Sequence, residues 1–161
     1  MSKPRESFKT PKGTTLPLLN LKNKEYLQVA HRLVWLAEET PYYDITTEIL
    51  PQSEQEKSEE AVTVKAVISI LEKDPAGRFM VIKKVNAMKT EHRKHFADHK
   101  EKAETGAIGR ALALLGYGTQ YTGDELDEGE RIVDSPTIAA VKQKTSSFRK
   151  SDNVGVQDDS I

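Results

Sequence analysis

The chain has 161 residues, with 24 Lys and Arg against 25 Asp and Glu and a formal charge of -1, a length that favours one compact domain with tails over two domains. Only 37% of residues are hydrophobic and the mean hydropathy is -0.60, so one core carries a large solvated surface, and no run approaches the roughly 18 apolar residues of a membrane span. Cysteine is absent, which excludes disulfides, thiolate metal sites and cysteine nucleophiles.

The near-zero charge hides segregated blocks. Lys3, Arg5, Lys9, Lys12, Lys22 and Lys24 stand against Glu6 alone, and with the local Pro and Gly content they suggest a flexible basic arm over residues 1–22. No apolar stretch follows the arm, so no secretory signal is expected and the expected location is cytoplasmic. Asn23 is placed to cap a helix starting at Lys24, in which Leu27, Ala30, His31, Val34 and Ala37 recur at helical spacing up to Thr40-Pro41. Residues 44–50 read as a strand, followed by a polar stretch with several glutamates. Residues 61–71 alternate, with Val62, Val64, Ala66, Ile68 and Ile70 on one face. Turn chemistry at residues 73–78 and a returning strand at 79–89 complete a hairpin. Asp98 is an N-cap for a second helix running to Leu115, with Glu101 at the capping-box position and Gly116 as the stop. The expected fold is α+β, a three-stranded antiparallel sheet packed by two helices over residues 23–122, followed by an acidic segment at 123–134 and a disordered tail at 135–161.

The chemistry concentrates in residues 78–102, where Arg78, Lys83, Lys84, Lys89, Arg93, Lys94, Lys100 and Lys102 outnumber Glu91, Asp98 and Glu101, with His92, His95 and His99 interleaved. Such a block suits a polyanion, while the acidic segments limit indiscriminate binding. Lys83 and Lys84 are adjacent on a strand and point to opposite faces, so at most one of them faces a common groove. The three histidines also admit a metal-dependent nuclease, with Glu91 or Asp98 nearby, although the interleaved Arg93, Lys94 and Lys100 disfavour a cation and suit a phosphate. No phosphate-binding GxxxxGK[ST] loop and no Ser partner for His31 occur. The expectation is therefore a non-catalytic protein that needs no cofactor or metal.

The second helix is poor in bulk, with Ala103, Gly106, Ala107, Gly109, Ala111 and Ala113, and its interior glycines imply a close approach of its backbone to a sheet, a subunit or a phosphate backbone. The segment KAETGAIGRALALLGYG at residues 102–118, together with YLQVAHRLVWLAEE at 26–39, resembles the single-strand annealing superfamily of homologous recombination. The family's Ala-x-Thr-Asp-x-Leu-Lys-Arg-Ala-Leu helix is matched by Ala103, Thr105, Ile108, Arg110, Ala111 and Leu112, with Gly116, Tyr117 and Gly118 in the turn after it. Gly106 and Gly109 depart from the pattern, standing where the family has Asp and Lys. The chain as a whole is also similar to small proteins carried by phages and mobile elements.

The resemblance implies sequence-independent binding of single-stranded DNA and strand annealing in phage-type recombination and repair, by a homo-oligomeric ring or filament in the cytoplasm of a bacterial host. It implies a groove lined by Arg32, Lys83, Lys84, Lys89, Arg93, Lys94, Lys100 and Arg110. Tyr117 and Tyr121 either stack on unpaired bases or cap the core. Residues 123–134 of one subunit can meet residues 78–102 of the next through opposite charge. The C-terminal Gln-Asp-Asp-Ser-Ile faintly resembles tails that recruit recombination or replication proteins. The alternatives are a single-stranded-DNA-binding accessory protein without annealing activity, the nuclease above, and a purely structural interaction protein.

Overall fold

The computed structural model describes residues 6–21 and 24–118, so Tyr121, the acidic segment and the tail lie outside the described residues. The chain opens with two short hairpins. β1 (Ser7–Lys9) pairs antiparallel with β2 (Thr15–Pro17), and β3 (Leu19–Leu21) pairs antiparallel with β4 (Lys24–Tyr26). The expectation of a flexible arm is corrected for residues 6–21: Leu16 and Leu18 alternate inward at 4% and 8% exposure and join the core. Thr10 is buried as well, and its hydroxyl donates to the Glu38 carboxylate at 2.8 Å, fastening the first hairpin to the following helix.

That helix, α1 (Val29–Glu39), begins later than the periodicity suggests. Residues Lys24–Tyr26 are claimed by the β3 pairing, and Tyr26 and Leu27 enter the core at 0% exposure before the first helical turn. The chain then forms β5 (Tyr43–Ile49), the short α2 (Glu54–Ser58), the long strands β6 (Ala61–Lys73) and β7 (Phe79–His92), and α3 (His99–Leu114). Helix α2 falls in the stretch expected to be a polar connection. It is held by a capping box in which Ser53 and Glu56 satisfy each other's end of the turn. Hydrogen bonds from the Thr63 hydroxyl and from Ser53 hold the Glu56 carboxyl down at about 2.

β5, β6 and β7 form one antiparallel sheet in that order, so the expected α+β architecture with a three-stranded antiparallel sheet is present. β6 runs between its neighbours in the registers Ile45↔Ile68 and Ile68↔Val85, with an irregularity at Ile70/Leu71 on the β7 side. One face of β6, made of Val62, Val64, Ala66 and Ile68, is buried under the helices, as the alternation predicts. The hairpin turn is closed by Asp74, whose carboxylate accepts from the backbone N–H and the guanidinium of Arg78 at 2.8 Å each. Among the described residues, no helix is long and apolar enough to cross a membrane.

Helix α3 lies on β6 and β7 through small side chains. Ala103, Ala107 and Ala111 recur every fourth residue on one face, and all are fully buried. Their size lets the helix backbone approach the sheet, and Gly106 makes the nearest contact. A Cβ at Gly106 would stand 2.9 Å from Cγ of Lys89 on β7. The helix therefore accepts the roughly 1 kcal/mol that an interior glycine costs so that the Lys89 stem can cross over it. Replacing Gly106 with leucine has to displace that stem and overpack the seam, and is expected to lower unfolding free energy by about 1–3 kcal/mol in urea denaturation. A Gly106→Leu protein as stable as the parent would show that the helix has slack above β7.

Candidate nucleic-acid interface

The register of the sheet decides where the basic residues of β7 point. Lys83 is paired with Ile70 and Lys89 with Val64, which places both on the α3 side of the sheet. Lys84 is paired with Ser69 and takes the opposite, open face. Lys83 and Lys89 are thus separated by about 20 Å along one side of the strand, at roughly 3.3 Å per residue. Arg110 reaches the same strand from α3, and its Nη1 donates to the Met88 carbonyl at 3.1 Å. The alanine face of α3 makes this possible, because a helix held farther from the sheet would carry Arg110 away from the strand.

Three of the expected groove residues cluster in this way along β7, namely Lys83, Lys89 and Arg110. Lys94 is exposed in the turn that follows β7, and Lys100 is exposed in the first turn of α3, beyond the Lys89 end of the row. Among the described residues, Lys83, Lys84, Lys94 and Lys100 form no ion pair. Lys89 is partly engaged, with its Nζ 3.5 Å from Oε1 of the buried Glu91. Arg93 is directed elsewhere: its Nη1 donates to Glu60 at 2.9 Å and its backbone N–H to the Glu60 carbonyl. Its charge is therefore balanced locally across the base of the sheet.

Two expected site residues are corrected. Arg32 does not reach any surface and is 0% exposed. Its Nε donates to the Leu27 carbonyl at 2.7 Å and its Nη1 to the Gly109 carbonyl at 3.2 Å, and its guanidinium carbon sits 5.2 Å from the centroid of the Tyr26 ring. A fixed planar fork suits this task, since one side chain donates to carbonyls on two separate segments. Gly118 completes the enclosure with φ at +83°, and a Cβ there would meet Cδ and Nε of Arg32 at 3.0 Å. Arg32 is thus the strut between α1 and α3. Tyr117 is also part of the core, at 9% exposure. It lies edge-on to Trp35 at 5.3 Å with its hydroxyl 3.2 Å from Thr40 Oγ1, and burial pushes that hydroxyl's pKa upward. Of the two alternatives for Tyr117, the core cap is the one built.

The histidines do not share a helical face. His92 ends β7, His95 lies in the turn and His99 opens α3, because the chain reverses between strand and helix. His92 Nδ1 is 3.2 Å from Glu59 Oε2, and the His92 and His95 rings meet edge-on at 5.8 Å. Among the described residues, no group of three His, Asp or Glu side chains is arranged to hold a metal ion.

The burial of two charges within the basic block is not evident from the charge pattern of the sequence. Glu91 is 3% exposed beside Lys89, and Lys102 is 5% exposed with its Nζ 4.3 Å from the centroid of Phe96. Their positions on the inner side of a strand and of a helix are the signal that could have found them. No protein family, curated protein or solved structure matches the chain.

The reassignment of Arg32 has a measurable consequence. Arg32→Met strips the donors from two buried carbonyls and is expected to cost about 2–4 kcal/mol of stability, measured by chemical denaturation. Unchanged stability would return Arg32 to the surface residues.

Proposed function

We propose that this chain binds single-stranded DNA without sequence preference and anneals complementary strands, as the resemblance to the single-strand annealing superfamily implies. The observation that supports the reading is the row of Lys83, Lys89 and Arg110 along the α3 side of β7, extended by Lys94 and Lys100. A row about 20 Å long spans about six nucleotides of a strand at the roughly 3.4 Å rise of stacked bases, with Lys89 and Arg110 at one end and Lys83 at the other. Lysines supply mobile charge along such a path, and Arg110 supplies a planar fork whose Nη1 is already oriented by the Met88 carbonyl.

Annealing forms and breaks no covalent bond, so the protein acts without catalysis, cofactor or metal. It neutralises phosphate repulsion while leaving bases available for pairing. The protein works as a homo-oligomer in the cytoplasm, in recombination of the phage type, and the acidic residues Asp158 and Asp159 are offered to a recombination or replication partner.

Fluorescence anisotropy with labelled single-stranded and duplex oligonucleotides across a salt series tests the reading. The wild type is expected to prefer the single strand, with log K falling against log salt by about 0.7 for each phosphate contact. Arg110→Ala is expected to bind about tenfold more weakly and with a shallower salt slope. No single-strand binding at low salt, or an Arg110→Ala protein that binds as the wild type does, contradicts the proposal.

A further inference from the structure

The three-stranded sheet ends in two bare edges. β5 and β7 flank β6, and among the described residues no strand bonds to the outer side of either. Unpaired N–H and C=O groups along a strand are a template for another strand, and folded proteins cover, charge or blunt such edges.

Backbone hydrogen bonds around the sheet establish which groups point outward. The Thr63 carbonyl accepts from Leu50 N–H, and Leu71 N–H donates to the Tyr42 carbonyl, so odd-numbered residues of β6 bond toward β5. Antiparallel partners alternate between bonded and non-bonded pairs. With the registers Val64↔Lys89 and Ser69↔Lys84, it follows that Lys84, Asn86 and Met88 direct their backbone groups away from β6. On the other edge the outward residues are Tyr43, Ile45, Thr47 and Ile49. Arg110 occupies the Met88 carbonyl and thereby blunts one half of the β7 edge.

The other half is bare and apolar. Phe79, Met80, Val81 and Ile82 are 51–57% exposed, and on the opposite edge Ile49 is 59% exposed. The two edges also carry opposite charge. β5 holds Asp44 and Glu48 and no basic residue, whereas β7 holds Lys83 and Lys84 with no acid before Glu91. Asp44, Ser69 and Lys84 share one cross-strand row, so the acids of β5 and Lys84 lie on the same open face of the sheet.

We propose that copies of this chain associate head to tail by strand addition, with β5 of one copy pairing along the bare half of β7 of the next. The seven residues of β5 match the length of segment 79–85, within which Ile82 is the extra residue at the register shift between Lys83 and Val81, so the regular part of the pairing centres on Lys84. With the two strands parallel and β5 alongside residues 79–85, Glu48 stands opposite Lys84, Asp44 lies farther back beside Met80, and the apolar residues of both edges are covered. Like-with-like pairing is disfavoured, because two β7 edges oppose lysines and two β5 edges oppose carboxylates. β5 and β7 are both antiparallel to β6 and hence parallel to each other. Repeating the sheet in the same sense keeps every α3, and with it the row of Lys83, Lys89 and Arg110, on one side. A head-to-tail contact leaves a bare edge at each end, so it closes into a ring or grows into a filament.

This inference deepens the oligomer reading above and does not depend on DNA binding. Its test is the mass distribution of nuclease-treated protein at low salt, by sedimentation velocity. The wild type is expected to sediment as a multimer. Lys84→Glu and the double variant Asp44→Lys with Glu48→Lys are each expected to shift toward monomer, and mixing the two is expected to recover multimers, because each supplies the edge that complements the other. Asn86→Pro removes the outward N–H that faces the Ile49 carbonyl when Glu48 stands opposite Lys84, and no bond to β6, and is expected to act as Lys84→Glu does, with circular dichroism confirming that each variant is folded. A wild type that is monomeric throughout overturns both this interface and the oligomer reading. A multimer that is indifferent to all these variants, or variants that fail to recover on mixing, overturns the edge pairing alone.

Discussion

Most of this molecule depends on how closely α3 can lie against the β6–β7 hairpin. Ala103, Ala107 and Ala111 are fully buried on one face of the helix, and Gly106 lets the stem of Lys89 cross beside the helix backbone. Three consequences follow from that seat. Arg110 comes within hydrogen-bond reach of the β7 edge. The Gly109 carbonyl comes within reach of Arg32 on α1. The turn after the helix folds back so that Tyr117 packs against Trp35 and Gly118 against Arg32. A bulkier face on α3 would loosen all three together, since each is measured from the same helix axis.

The protein divides its cations by burial. Arg32 and Lys102 are taken inside, where hydrogen bonds and an aromatic ring offset the loss of water. Lys83, Lys84, Lys94 and Lys100 remain exposed on and around β7 without a carboxylate partner among the described residues. The first group serves cohesion and the second is available to an outside anion. Register then divides the second group again. Lys83 shares a side with Lys89 and Arg110, and Lys84 shares a side with Asp44 and Glu48. The proposed DNA path therefore runs on the α3 side of β7, whereas the proposed copy-to-copy contact uses the edge of that strand with its charge pair on the open face.

Elements with a clean period are legible in the sequence alone. Strict alternation in residues 61–71 marks a strand buried on one side, and Asp98 and Gly116 bracket α3 to within a residue or so. The three-residue strands of the N-terminal region carry too few positions for a period to show, and basic, Pro-containing sequence masks the inward alternation of Leu16 and Leu18. The apolar pattern places the start of α1 too early because Tyr26 and Leu27 continue it while belonging to a hairpin and a connection. The Ser53 to Glu56 spacing is a readable signal for α2 that the surrounding glutamates obscure. Arg32 and Tyr117 cannot be assigned from local sequence, because each is defined by a partner 77 residues away. In contrast, the division of Lys83 and Lys84 between faces follows from adjacency on a strand, and only the choice of side requires the register.

The functional proposal rests on the α3 side of β7 being where this protein meets a nucleic-acid strand. Backbone and side-chain NMR resonances followed during titration with an unlabelled oligothymidylate test that directly. The largest shifts are expected at Lys83, Lys89 and Arg110, with smaller ones at Lys94 and Lys100 and little change at Lys84, Asp44 or Glu48. Shifts confined to the open face of the sheet, or no shifts at saturating oligonucleotide, would contradict it.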